Sequence, residues 1–172
     1  MVFGKFREQA LLKKFKKELS LLPASNASNS KTITSIAILT DNVMFENIDI
    51  VEEVKKSFAS VRIVQIYSFR RFKKSEKKSY KHFTEKDIDW KGVVIDASLE
   101  SFLAHPFDLL IGYFNVNNLH LEYCALKSKA TFKVGFSGVN DKIYDLVISE
   151  NPNNIDSYMT VAKKYLKLLH KL

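Results

Sequence analysis

Apolar residues recur along this chain with two alternating periods. From Met1 to Leu22, Phe6, Ala10, Phe15, Leu19 and Leu22 return every three to five positions, while Lys13, Lys14, Lys16 and Lys17 cluster mostly away from them. That spacing predicts an amphipathic helix. Pro23 ends it, and Ala24–Ser30 is a polar stretch of Ala, Ser and Asn that reads as a linker. The β-branched run Thr32–Leu39 then predicts a central strand. Phe45–Phe58 follows as a helix with Ile48, Val51, Val54 and Phe58 on one face, and Val61–Tyr67 as a second strand.

The same alternation continues to the end. Val93–Ile95 reads as a short third strand, Ala97–Ala104 as a short helix or turn, and Asp108–Tyr113 as a fourth strand. Asn117–Lys129 is expected to be a helix burying Leu119, Tyr123, Cys124 and Leu126. Thr131–Phe136 and Tyr144–Ile148 are the fifth and sixth strands. The last helix, Ile155–Leu169, places Tyr158, Val161, Ala162, Tyr165, Leu168 and Leu169 on its apolar side. Strands alternating with helices of these lengths predict an α/β fold. The expected architecture is Rossmann-like, with a largely parallel six-stranded sheet flanked by helices and a basic amphipathic helix at the N-terminus. The domain reading is helix 1–22, linker 23–31 and a single α/β domain 32–172 with a basic arm at 69–83.

Composition supports one globular unit. The chain has 172 residues, 46% hydrophobic and 12% aromatic, with only five Gly and three Pro. Its net charge of +8 is unevenly placed. Residues 1–22 carry a net of +4 and residues 70–82 a net of +6, so the rest of the chain is about −2. A near-neutral body with two basic appendages favours an anionic partner, nucleic acid first and a membrane surface second. The single cysteine, Cys124, excludes an internal disulfide. No apolar run approaches the roughly 20 residues that span a bilayer. The basic N-terminus lacks an apolar signal core. A cytoplasmic protein is expected.

The arm Phe69-Arg70-Arg71-Phe72-Lys73-Lys74-Ser75-Glu76-Lys77-Lys78-Ser79-Tyr80-Lys81-His82-Phe83 interleaves four rings with seven cations, and is expected to project from a sheet edge. Arginine pairs phosphate in two-pronged geometry and stacks on bases, and exposed rings suit unpaired bases. This stretch points to RNA, with rRNA or the ribosome as the expected partner. Lys13, Lys14, Lys16, Lys17, Arg70, Arg71, Lys73, Lys74, Lys77, Lys78 and Lys81 are the expected phosphate contacts, and Phe72 and Tyr80 the stacking rings. Phe69 and Phe83 are the rings that could instead turn inward as anchors.

Catalytic chemistry has little support. The turn after the first strand, Thr40-Asp41-Asn42-Val43-Met44, has no glycine, so neither a dinucleotide fingerprint nor a P-loop is possible there. The four histidines sit at no metal-ligand spacing, and Cys124 lies on an apolar helical face as a structural thiol. No cofactor and no metal is expected, and no catalytic residue is assigned. Asn115, Asn117 and Asn118, beyond the fourth strand, are candidate small-ligand contacts, with Asn117 or Asn118 equally suited to capping the helix that follows.

The run Phe107-Asp-Leu-Leu-Ile-Gly-Tyr-Phe-Asn-Val-Asn-Asn-Leu119, continued by Ala125-Leu-Lys-Ser-Lys-Ala-Thr-Phe-Lys-Val-Gly-Phe136, resembles the acceptor-side half of heptosyltransferase-type glycosyltransferases. Those enzymes bind the nucleotide sugar on a second Rossmann-like domain, for which this chain has no residues left. The whole chain also looks like a small uncharacterised bacterial family of this fold, and its size and charge suit a lineage-specific ribosomal protein. The resemblance implies a glycosyltransferase-like or nucleotide- and sugar-binding domain as the alternative to RNA binding. A peripheral membrane or protein-partner module using the N-terminal helix is the second alternative.

Overall fold

The computed structural model describes residues 2–23, 32–75 and 81–172. Its centre is a six-stranded sheet in the order β3-β2-β1-β4-β5-β6, every neighbouring pair parallel. The strands are β1 (Ser35–Asp41), β2 (Ile63–Phe69), β3 (His82–Phe83), β4 (Leu109–Tyr113), β5 (Phe132–Phe136) and β6 (Leu146–Ile148). The helices are α1 (Val2–Ser20), α2 (Asn42–Asn47), α3 (Ile50–Ser57), α4 (Ala97–Ala104), α5 (Leu119–Lys127) and α6 (Ile155–Leu168). This is an α/β Rossmann-like arrangement, with the order of strands reversing between β1 and β4.

Two cores sandwich the sheet, and strand alternation assigns residues to them. Ile36 and Ile38 of β1, with Leu109, Ile111 and Tyr113 of β4, pack under α3 and α6 against Ile50, Val54, Tyr158 and Leu166. Ala37 and Leu39, with Leu110, face α1, α4 and α5 through Leu11, Phe15, Leu99, Phe102 and Leu121. Burial on both faces explains why β1 and β4 read as continuous apolar runs rather than alternating ones.

Four expectations change. The helix expected over Phe45–Phe58 is two, because Asp49 accepts the Glu52 N–H at 3.0 Å and starts α3 afresh after an extended Ile48. Val93–Ile95 is not a strand of the sheet: Val94 makes an isolated antiparallel bridge to Ile88, and the edge beyond β2 is β3 instead. Sheet pairing is won by the residues flanking buried Phe83, whose carbonyl accepts the Arg70 N–H at 3.0 Å. In α1 the buried positions are Leu11 and Phe15, while Phe6 is 66% exposed and Leu22 also faces solvent. In α6 the inward face is Tyr158, Met159, Ala162 and Leu166, with Tyr165, Leu168 and Leu169 exposed. In both helices the apolar residues outnumber the places available against the sheet, so packing, not periodicity, selects the face.

Two devices join the central strands. Asp108, buried just before β4, accepts four hydrogen bonds on Oδ2, from the backbone and hydroxyl of both Thr34 and Ser35, at 2.9–3.0 Å. Ser35 Oγ in turn accepts the Asp108 N–H at 3.0 Å. Further along, Gly112 and Gly135 are paired across β4 and β5, and the buried Tyr144 ring lies flat on them. A Cβ on Gly135 would meet ring carbons at 2.7 Å.

Replacing Asp108 with Ala orphans the two buried donors of Ser35 and frees the part-buried ones of Thr34, and is expected to lower unfolding free energy by about 3 kcal/mol, read by urea denaturation. Gly135→Ala is expected to cost about 1–3 kcal/mol in the same assay by overpacking Tyr144.

Candidate functional site

The carboxyl ends of β1, β2 and β4 and the connection after β3 meet on one side of the sheet, where open parallel sheets hold their ligands. Phe69 is the last residue of β2, and burial of its ring beside Phe83, 5.4 Å away in edge contact, fixes where the basic stretch leaves the domain. Arg70 is half-buried; Arg71, Phe72, Lys73 and Lys74 are exposed. The Phe72 N–H donates to Glu85 Oε2 at 3.0 Å, and Lys86 Nζ lies 3.3 Å from the Phe72 ring centre. The opening of the arm is therefore held on the domain, and the chain returns to pair β3 against β2, building the sheet edge.

Three hollows surround these residues. The first, about 470 Å³, lies between the ends of β1 and β2 and is lined by Asp41, Asn42, Arg70, Lys73 and Asn118. The second, about 230 Å³, lies between Arg70, Phe72, His82 and Thr84. The third and largest, about 780 Å³, opens beneath the first turns of α1 between Arg7, Leu11, Glu85, Trp90 and His120. Arg71 lines all three.

At the start of α2 the Met44 N–H is taken by Asp41 Oδ1 at 2.9 Å. A carboxylate thus stands where a glycine-rich turn would receive a pyrophosphate. Asn118 caps α5, its Oδ1 accepting from His120 N at 3.1 Å and Leu121 N at 3.2 Å, and so serves as the helix cap while facing the first hollow. Asn115 and Asn117 are exposed and line none of the three hollows.

The cap places His120 in the first turn of α5. Its ring is 7% exposed and stacked on Phe69, with centroids 5.3 Å apart and planes 9° apart. Burial pushes its pKa below the ordinary histidine value; Arg71 adds to the shift, while Glu8 and Glu85 oppose it. Next to it on α5, burial raises the Glu122 carboxyl and pushes the Cys124 thiol well above its usual range. Among the described residues, no three His, Cys, Asp or Glu side chains converge as a metal ion would need.

The structure brings Arg70, Arg71, Phe72 and Lys73 together with Asn118, and places Lys74 and Lys81 exposed on the same connection. The lysines of α1 lie apart from this group, on the second half of that helix. Lys13, Lys16 and Lys17 are exposed there, and Lys14 pairs with Glu18 at 3.2 Å. Glu18 also meets Lys127 at 3.3 Å and so ties α1 to α5. Lys77, Lys78 and Tyr80 lie outside the described residues. Sequence reasoning missed Arg7, Glu8, Trp90 and His120. The one signal available was the chain's only tryptophan within the polar stretch Asp87–Gly92.

Strand order and geometry define the class: a Rossmann-like α/β domain whose hollows at the carboxyl end of the sheet are lined by charged side chains, Arg71 in all three. The chain belongs to a family of unknown function, DUF6913, whose model matches residues 7–169 and so takes in most of α1 together with the sheet. No curated protein and no solved structure matches it. Among the described residues, no helix is long and apolar enough to cross a membrane.

Because His120 has its pKa lowered on folding, stability is present above the unfolded value near 6.5 and lost as pH falls from there toward the folded value. Comparison with a variant isolates this residue: urea unfolding free energy from pH 7 to pH 5 should fall less steeply in His120→Gln than in the wild type.

Proposed function

We propose that this protein is a non-catalytic RNA-binding protein of the cytoplasm, with rRNA or the ribosome as its partner. The observation that carries this reading is the cluster of Arg70, Arg71 and Lys73 around the hollows at the carboxyl end of the sheet, with Phe72 40% exposed beside them. Phosphates of one strand reach these cations, and Lys74 and Lys81 extend the positive surface along the connection. The ring of Phe72 already carries Lys86 against it, so a base stacking there adds to an existing cation–ring contact. Lys77, Lys78 and Tyr80 belong to the same stretch of sequence and are proposed to extend the contact. Lys13, Lys16 and Lys17 offer a second phosphate surface on α1.

A second reading is a nucleotide- or sugar-binding single domain. It draws on Asn118 and Asn42 in the hollow beside the β1–β4 reversal, and on the resemblance of residues 107–136 to the acceptor-side half of heptosyltransferase-type enzymes. Stabilisation by a nucleotide sugar in a thermal-shift assay would favour it.

For the first reading, filter binding across a salt series is the test. Substituting Arg70, Arg71, Lys73 and Lys74 with Ala should flatten the log–log salt dependence by about 3 and weaken RNA retention at least about tenfold. Equal retention of RNA by the variant and the wild type would sink the proposal.

A further inference from the structure

We infer that the hollow beneath α1 is a binding site for one nucleoside monophosphate unit, its phosphate between Arg7 and Arg71 and its base against Trp90. The site shares Arg71 with the arm, while its other residues come from α1, from the loop after β3 and from the start of α5.

The groups that face this hollow divide into committed and uncommitted ones. Glu85 Oε2 already accepts the Phe72 N–H, and Asp89 Oδ1 accepts the N–H groups of Lys91 and Val93 at 2.8 Å. Lys86 sits over the Phe72 ring. Arg7, Arg71 and Glu8 make no hydrogen bond or ion pair among the described residues, so both guanidinium groups are open to a ligand, in a lining whose three cations and three carboxylates balance.

His120 is the second observation. It is more than nine-tenths buried, it lines the hollow, and neither ring nitrogen has a hydrogen-bond partner among the described residues. Neither nitrogen is sealed from solvent, so the imidazole reaches the cavity and can bond to a ligand there in place of water.

Apolar side chains complete the lining, and Lys91 Nζ lies 5.2 Å from the Trp90 ring centre. Trp90 is 46% exposed, and Leu11 and Ile88 are buried behind the cavity. An exposed indole beside two unpaired guanidinium groups suits a molecule with a planar ring at one end and a multiply charged oxyanion at the other. The Glu8 carboxylate and the His120 ring supply an acceptor and a second polar group for sugar hydroxyls between them. The volume of about 780 Å³ lies within the range of ligand pockets, about 300–1,000 Å³, and exceeds what a bare phosphate would fill.

Because Trp90 is the only tryptophan, its fluorescence reports directly on this cavity. Titrating the full chain with AMP, GMP, CMP and UMP up to about 10 mM should give saturable quenching by at least one of them. Arg7 is exposed, so Arg7→Gln should fold normally, and it should weaken that binding about tenfold or more. Arg70/Lys73/Lys74→Ala should leave it unchanged. Inorganic phosphate alone should not reproduce the quench; if it does, the base contact and the nucleotide assignment are overturned. No saturable quenching by any nucleotide, or an unchanged affinity in Arg7→Gln, overturns the inference as well.

A short single-stranded RNA separates the two sources of such a unit. If it quenches Trp90 and UMP competes, the site holds one nucleotide of a strand; if only mononucleotides quench, it holds a free one. Nucleotide quenching without RNA retention leaves this site standing and removes the RNA-binding reading. RNA retention without nucleotide quenching does the reverse.

Discussion

The carboxylate of Asp108 holds together the two strands on which every other element is hung. β1 and β4 are neighbours in space but lie more than sixty residues apart in sequence, and their amino ends are joined by four hydrogen bonds to one oxygen. Hydrogen bonds to a charged acceptor are stronger than neutral ones, and the two from Ser35 are buried. Clamping the amino ends sets the register of the central pair. That register determines where the carboxyl ends stop, and so where Asp41, Phe69 and Asn118 stand relative to one another. The fold's anchor and its open site are therefore at opposite edges of the same two strands.

At the open edge the domain places charge by burying rings. Phe69 and Phe83 are held in the core, and burying such side chains contributes roughly 1.5–3 kcal/mol each. That burial holds Arg70 and Arg71 next to the hollows rather than leaving them on a free arm. The Phe69 ring also stacks on His120, so the residue that anchors the basic stretch also orients the imidazole beneath α1. Arg71 borders all three hollows, which joins the basic opening of the arm to the cavity under the N-terminal helix.

The N-terminal helix takes a larger part than an appended basic segment would. Leu11 and Phe15 complete the core over α5, and Glu18 reaches Lys127. Its basic second half faces solvent, whereas Arg7 and Glu8 on its first half enclose a cavity wall. A helix read from its lysines alone suggests a phosphate-binding rod; packed in place, it is also a lid over the end of the sheet.

How far the sequence carried can be judged from particular residues. β-branched runs and regular alternation made the α/β class legible, as well as β1, β2, β4, β5 and α4, and for β1 and β4 burial on two faces imposes a composition that no loop shares. The capping role open to Asn117 or Asn118 was legible too, and Asn118 fills it. Single-chain patterning could not locate β3: two residues carry no periodicity, and only the approach of β2 makes them a strand. It could not choose Leu11 over Phe6, since both lie on apolar stripes and the surface of α5 decides between them. The site under α1 was hidden for the same reason. Arg7, Arg71, Trp90 and His120 are scattered over more than a hundred positions, and nothing local marks them as neighbours. The sequence by itself determined the class of fold and the concentration of positive charge, which depend on composition and short-range spacing. The tertiary structure alone decided which cations meet and which histidine is buried at the edge of a cavity, because those follow from long-range strand pairing and helix packing.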